Sequence, residues 1–131
     1  MNKKLLFALR TALNFALITA LASGLIVLAH IFMGLRPVAV TSISMSPAIL
    51  KDDLIFVERF NSAKLAEGRV ITFRQPDTNA LVTHRVTEID AEAGTVMTRG
   101  DAGDSDDGPV PFENIVGIYV YRIPSLGKYF Y

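Results

Sequence analysis

Residues 69–89 read RVITFRQPDTNALVTHRVTEI, two apolar runs on either side of a polar segment. Its outer parts, Arg69–Phe73 and Leu81–Ile89, are rich in Val, Ile, Thr and Phe, which are the residue types that favour half-buried strands. Between them, Gln75–Asn79 supplies the proline, aspartate and asparagine that favour a turn. The stretch therefore predicts two antiparallel strands joined as a hairpin.

Further β segments lie on both sides of this hairpin. They are Val38–Val40, Leu54–Arg59, Thr95–Thr98 and Val116–Ile123. Asp90–Gly94 is expected to close the next hairpin, and Asn61–Glu67 is expected to form a single helical turn. No repeat or low-complexity linker divides residues 36–131, which are enough for one small core. The predicted fold class is mostly β, a small antiparallel β domain with one N-terminal transmembrane helix.

The helix is predicted from an apolar run, Thr11–Leu35, that contains no charged side chain. A bilayer core requires about 20 apolar residues in a helix, so this run is long enough to span it. The alternative is a cleavable secretory signal with a small-residue site at Ala20–Ala22. An uncleaved anchor is preferred, because the run continues well beyond a signal h-region of roughly 7–15 residues.

The charges that flank the run predict its orientation. Lys3, Lys4 and Arg10 precede it, whereas only Arg36 follows it directly. Cytoplasmic flanks carry the excess of Lys and Arg, so the N-terminus is expected in the cytoplasm. The sequence thus predicts a single-pass protein of the cell membrane, with the β domain on the extracytoplasmic side.

This orientation divides the chain into two parts. Residues 1–35 are the expected cytoplasmic N-terminus and anchor, and residues 36–131 are the expected extracytoplasmic domain.

All 13 acidic residues lie beyond Leu50, so the domain is mildly acidic and gives no support for a nucleic-acid partner. The lipid bilayer is an expected partner. The chain has no cysteine, which excludes disulfide and thiolate chemistry.

Two residues could carry nucleophilic chemistry. Ser44 lies in the segment TSISMSP, residues 41–47, and His84 lies in the second strand of the hairpin. A serine hydroxyl is a poor nucleophile until a base takes its proton, and imidazole is the side chain that ordinarily titrates near neutral pH. Taken singly, the serine segment is typical of a turn and the strand histidine of a structural residue. The other histidine, His30, lies near the outer end of the apolar run, where its ring can reach the interface.

Taken together, the motifs resemble those of type I signal peptidases of family S26, in the endoplasmic-reticulum and archaeal-like branch. Ser44-Met45-Ser46-Pro47 resembles the box with the nucleophile, and His84-Arg85-Val86 resembles the box with the general base. Residues 98–107, TRGDAGDSDD, resemble the Gly-Asp…Asp-Asp box, and Ile123–Gly127 resembles the stretch after it. The boxes occur in the family's order, and the similarity covers roughly residues 20–127.

The resemblance implies a small β domain of signal-peptidase type. Its implied activity is that of a membrane-bound serine endopeptidase that removes signal peptides from exported preproteins. Ser44 would be the nucleophile and His84 the general base. Asp107 would support the histidine, with Asp106 left open as the alternative, and Asp101 would brace the site. The implied partners are the signal peptides of secretory preproteins.

For the oxyanion, the resemblance implies two donors, the Ser44 N–H and the Ser42 hydroxyl. Ile43 departs from the family pattern, because glycine is common at its position. No cofactor is expected. No metal is expected either, since the acidic stretch Asp104–Gly108 does not place ligands at the alternate positions of a calcium loop.

Two other classes of protein share parts of this pattern. A non-catalytic membrane-anchored β module, acting as a binding or assembly subunit, could have the same fold. A self-cleaving repressor relative would use a lysine base and a DNA-binding helical domain, and the sequence offers neither. Many family members continue after the matched stretch into a second span. The range of substrates, the need for partner subunits and a missing second span stay open at this point.

Overall fold

The computed structural model describes residues 2–131, and the chain divides after Gly34 into two compact units. The first unit is one helix, α1, Lys3–Phe32. Asn2 caps it by accepting a hydrogen bond from the Lys4 N–H at 3.2 Å, as short polar residues at this position do. The helix is followed by Gly34 at φ +65°, a conformation that glycine adopts without strain.

The predicted helix exists, but its bounds differ from those expected for the span. It begins at Lys3 rather than Thr11, because residues 3–10 are good helix formers despite their charges. It ends at Phe32 rather than Leu35. By length and composition, α1 is sufficient to cross a membrane.

The second unit, Leu35–Tyr131, is built on one seven-stranded sheet that forms a half-barrel. Its strands are β1 Arg36–Ala39, β2 Leu54–Arg59, β3 Val70–Arg74, β4 Leu81–Asp90, β5 Thr95–Arg99, β6 Val110–Pro111 and β7 Ile115–Ile123. Their order in space is β1-β2-β7-β3-β4-β5-β6, and every pairing is antiparallel. The predicted fold class, mostly antiparallel β with one apolar N-terminal helix, is confirmed.

The hairpin of residues 69–89 is also confirmed. β3 pairs with β4, and Ile71 lies opposite His84. The turn between them is closed by two backbone hydrogen bonds, from the Gln75 N–H to the Ala80 carbonyl at 2.9 Å and from the Asn79 N–H to the Gln75 carbonyl at 2.8 Å. Asn79 has φ 57°, a left-handed conformation that asparagine tolerates better than most residues.

Several elements differ in detail from the prediction, and the bounds of β3, β4, β5 and β7 each shift by one residue at one or both ends. The first strand is Arg36–Ala39 instead of the predicted Val38–Val40. It therefore begins two residues earlier and ends one residue earlier than expected. The expected helical turn is a 3-10 turn, Ser62–Lys64. Strand β6 was not predicted, because two residues that include a proline carry no alternation signal.

The core consists of two apolar clusters. One contains Ile71, Phe73, Val86, Val96, Val110, Ile115 and Ile118. The other contains Val40, Met45, Ile49, Ile55, Val57 and Val70. Neighbouring residues Val70 and Ile71 belong to different clusters, so β3 is buried on both faces. Double-sided burial explains why this strand has no clear hydrophobic alternation in its sequence.

Candidate active site

Ser44 lies in the segment that connects β1 to β2. The segment is anchored by Met45 and Ile49, which are 1% and 2% exposed and pack in the second apolar cluster. Backbone hydrogen bonds from the Ser46 N–H to the Ile43 carbonyl and from the Ile49 N–H to the Met45 carbonyl keep the segment turned. The buried neighbours fix the backbone, while the half-buried Ser44 side chain faces an open groove.

His84 projects from β4 with its ring between an aromatic neighbour and a carboxylate. The edge of the ring meets Phe73, with ring centroids 6.4 Å apart and planes at 69°. Its Nδ1 lies 2.5 Å from Asp107 Oδ2. An imidazole that donates from Nδ1 to a carboxylate leaves Nε2 as an acceptor when the ring is neutral. This tautomer is the one that a general base requires.

Asp107 is held at both its backbone and its side chain by Thr98. The Thr98 hydroxyl donates to Asp107 Oδ2 at 2.7 Å, and the Asp107 N–H donates to the Thr98 carbonyl at 2.7 Å. Thr98 is fully buried in β5. The carboxylate oxygen that faces His84 is therefore fixed in place by a rigid strand.

Asp106, the alternative partner, is bound to Arg99 and Thr87 rather than to His84. Its Oδ1 accepts hydrogen bonds from Arg99 Nε at 2.9 Å and from the Thr87 hydroxyl at 3.3 Å. The hydrogen bond from Arg99 lowers the pKa of the Asp106 carboxyl below its ordinary value. The structure thus places Asp107, and not Asp106, against the histidine.

Gly100 lies between Ser44 and His84. A Cβ built on Gly100 would be 2.7 Å from the Ser44 carbonyl oxygen, 3.2 Å from Ser44 Cβ and 3.0 Å from His84 Nε2. His84 Nε2 and the Ser44 side chain are thus both about 3 Å from the position that a Cβ on Gly100 would take. The Ala102 N–H donates to the Ser44 carbonyl at 2.9 Å and fastens the loop after β5 to the serine segment.

Asp101 is bound to Arg85 rather than to His84. Arg85 donates from Nε to Asp101 Oδ1 at 2.8 Å and from Nη2 to Oδ2 at 2.6 Å, a bidentate geometry that raises the pKa of Arg85. Nη1 of the same guanidinium donates to the Gly68 carbonyl at 2.8 Å. Asp101 therefore braces the loop after β5 against β4, and its geometry is not that of a proton carrier.

Ser42 lies beside the candidate nucleophile. Its Oγ is 3.0 Å from Ser44 Oγ, so one of the two hydroxyls donates to the other. Ile43 between them is exposed. Among residues 2–131, the non-glycine residues with positive φ are Asp52, Asn79 and Ser125, so position 43 does not need the freedom of glycine.

A groove of about 500 Å³ is lined by Ser42, Ser44, His84 and Asp107, among others. Residues 38–42 form one wall, and residues 81–84 of β4 form part of the other. The pairing of β4 with β5 begins at Arg85, opposite Arg99, so residues 81–84 have β3 on one side and no strand of the described chain on the other. The β4 wall thus offers free extended backbone to a peptide.

Sequence reasoning missed Thr98 and the close approach at Gly100. In the sequence, Gly100 was indicated by its place in the Gly-Asp…Asp-Asp box alone, and nothing assigned a role to Thr98. Among residues 2–131, no group of three or more His, Cys, Asp or Glu side chains is arranged to hold a metal ion.

Comparison with known proteins gives a consistent result. The family model of signal peptidase, peptidase S26, matches residues 11–92, a range that includes Ser44 and His84 and ends before Asp107. The signal peptidase complex catalytic subunits SEC11C of human, mouse and dog are each 32% identical to this chain over 114 residues. The alignment covers 82% of this chain and 57% of each relative, so the chain spans little more than half the length of these relatives. With a family model that matches more than half of its residues, the chain belongs to the signal peptidase family, peptidase S26.

Proposed function

We propose that this chain is a serine endopeptidase that removes signal peptides from secretory preproteins, with Ser44 as the nucleophile and His84 as the general base. The observation that carries the proposal is the arrangement around Gly100. His84 Nε2 and Ser44 flank this glycine, while the opposite nitrogen of the ring is held by Asp107. Family membership supports the same activity.

In the proposed reaction, Ser44 Oγ attacks the scissile carbonyl carbon while its proton passes to His84 Nε2. Asp107 keeps the imidazole in the required tautomer and stabilises the imidazolium that forms. The imidazolium then gives its proton to the leaving amine, and the mature protein departs. The signal peptide stays attached to Ser44 as an ester. Water, deprotonated by His84, hydrolyses this ester and restores the serine.

The tetrahedral intermediate carries a negative charge on the former carbonyl oxygen. The Ser44 N–H is one proposed donor to this oxygen, and the Ser42 hydroxyl is the second. In the free protein the two hydroxyls contact each other at 3.0 Å. Substrate would therefore replace the Ser42–Ser44 contact, which frees one hydroxyl for the oxyanion and the other for attack.

The proposed substrate is an extended peptide that lies in the groove between residues 38–42 and residues 81–84. Two features support this binding mode: residues 81–84 have no strand of the described chain on one side, and β1 is the outermost strand of the sheet. Strand addition needs only free N–H and C=O groups. We further propose that residues 1–35 form a cytoplasmic N-terminus with a single membrane anchor. Residues 36–131 would then form an extracytoplasmic catalytic domain at the cell membrane. The apolar length of α1 supports the anchor.

The experiment is cleavage of a preprotein with an Ala-x-Ala site by the full chain in detergent micelles. Wild type is compared with Ser44→Ala, His84→Ala and the control Ser105→Ala, in which an exposed loop serine is removed. Wild type and the control should cut at the site, and the first two variants should lose roughly 10³-fold or more in turnover.

Two other results would contradict the proposal. Equal cleavage by all four proteins would mean that a contaminant cuts the substrate. No cleavage by a folded wild type would favour the alternative, a non-catalytic membrane-anchored β module that acts as a binding or assembly subunit.

A further inference from the structure

A second cavity, of about 360 Å³, lies at one end of the sheet. The ends of three strands bring one arginine each to it: Arg36 begins β1, Arg59 ends β2 and Arg74 ends β3. We call these three residues the arginine pocket. The rest of the lining is formed by Phe60, Glu113, Asn114, Ile115 and Val116.

The sheet topology explains why distant residues meet here. β7 lies between β2 and β3 and is antiparallel to both, so the ends of these two strands flank the start of β7. Arg59 is opposite Gly117, and Phe73, next to Arg74, is opposite Ile115. β1 runs antiparallel to β2, which brings Arg36 to the same end.

The positive charge of the arginine pocket is mostly uncompensated. In the described part of the chain, no carboxylate oxygen lies within 4.0 Å of the three guanidinium groups, whereas four other arginines of the domain form such pairs. The Arg74 guanidinium donates to the Asn79 carbonyl, at 3.5 Å. Glu113 is the single acidic residue in the lining. Three guanidinium groups and one carboxylate thus face a shared space.

Arg36 is close to α1 along the chain. Arg36 follows Phe32, the last residue of the helix, by four residues, and four residues span at most roughly 14 Å. The headgroup layer begins where a membrane-spanning helix ends. With α1 as the anchor, the first arginine of the pocket is therefore within reach of lipid headgroups.

We propose that the arginine pocket binds the phosphate of an anionic phospholipid headgroup. Guanidinium groups bind phosphate oxygens in bidentate geometry, and a phosphodiester without a neighbouring ammonium leaves its charge free for them. Phe60, Ile115 and Val116 give the pocket an apolar side that suits the glycerol and upper acyl carbons of a lipid. Most of the lining surface is polar, as a phosphate site requires. The proposal does not depend on peptidase activity.

The test measures lipid binding to the full chain in micelles of a neutral detergent, by native mass spectrometry during titration with phosphatidylglycerol. Phosphatidylcholine and inorganic phosphate are titrated in parallel. Arg59→Gln/Arg74→Gln is compared with Lys51→Gln/Arg69→Gln, a control that removes the same charge from exposed positions outside the pocket. Arg36→Gln alone serves as a second probe, since its side chain is exposed.

The wild type and the control should bind phosphatidylglycerol more tightly than phosphatidylcholine. Each lost arginine should weaken binding about fivefold, so the double variant should lose roughly 25-fold and Arg36→Gln about fivefold. Unchanged binding in both pocket variants would overturn the proposal. So would equal binding of the two lipids, or a response to inorganic phosphate without preference for the lipid, which would indicate a site for a soluble anion.

Discussion

Replacement of Gly100 by alanine gives the sharpest test of the proposed catalytic geometry. The added Cβ would lie 2.7 Å from the Ser44 carbonyl oxygen and 3.0 Å from His84 Nε2. The carbonyl belongs to the backbone and holds the Ala102 N–H at 2.9 Å, so it cannot turn away as a flexible side chain would. Relief of the contact requires the serine segment and the loop after β5 to separate by several tenths of an ångström. A displacement approaching 1 Å in a catalytic group can reduce the rate about 10²-fold.

We therefore expect Gly100→Ala to lower kcat between about 10-fold and 10²-fold, with a small change in KM. Gly103→Ala is the matched control, because it lies in the same loop and its Cβ would meet only the Gly100 carbonyl at an ordinary 3.6 Å. Both variants are assayed on the Ala-x-Ala preprotein, and thermal unfolding establishes that they fold. Wild-type kcat in a folded Gly100→Ala would refute the reasoning, since Ser44 and His84 could then tolerate separation.

Three further predictions concern the carboxylates. Asp107→Asn should reduce kcat between about 10²- and 10⁴-fold with the fold retained, because an amide does not stabilise the imidazolium of His84; wild-type kcat would exclude the role. Thr98→Val keeps the side-chain shape but removes the hydroxyl that fixes Asp107, so kcat should fall about tenfold at constant KM; an unchanged kcat would exclude positioning. Asp53→Asn should lower the free energy of unfolding at pH 7 by about 3 kcal/mol, measured by urea denaturation, and by less at pH 3; equal losses at both pH values would contradict it.

The sign of the Asp53 effect follows from its surroundings. Burial raises the pKa of this carboxyl, but hydrogen bonds from the Leu50 N–H, the Ser125 N–H and Arg122 outweigh burial and lower the pKa below 3.8. Asp53 therefore stabilises the folded state fully above the unfolded pKa near 3.8. The stabilisation is lost as the pH falls through the lower folded value. An asparagine has no such titration, so the difference between the two proteins must shrink in acid.

The local parts of the fold could be predicted from the sequence, and the long-range parts could not. The β3–β4 hairpin is encoded by two neighbouring runs and the turn at Gln75–Asn79. The insertion of β7 between β2 and β3 depends on a contact between segments far apart in the chain. The sequence of a short strand does not specify which other strand it pairs with. Residues of the arginine pocket are spread over three strands, so no window of sequence could reveal them as one cluster.

The same distinction applies to the site. Ser44 and His84 were singled out by motifs, but a motif could not choose between the adjacent residues Asp106 and Asp107. Their side chains reach different partners, Arg99 and Thr87 for the first and Thr98 and His84 for the second. The choice is made by the packing of β4 beside β5, which exists only in the folded domain.

The proposed site combines a rigid half with a half that must rearrange. His84 and Thr98 lie on adjacent strands, and hydrogen bonds of 2.5 and 2.7 Å hold Asp107 to them. On the other side, the Ser42 and Ser44 hydroxyls contact each other, so the Ser44 hydroxyl is engaged with Ser42 rather than with the proposed base, His84. Gly100 is what lets the two halves approach, because any side chain there would occupy the space between Nε2 and Ser44. Substrate needs to reorient only two hydroxyls, which is a smaller change than assembly of the whole site. On this reasoning, loss of the Ser42 hydroxyl should lower kcat far less than loss of His84.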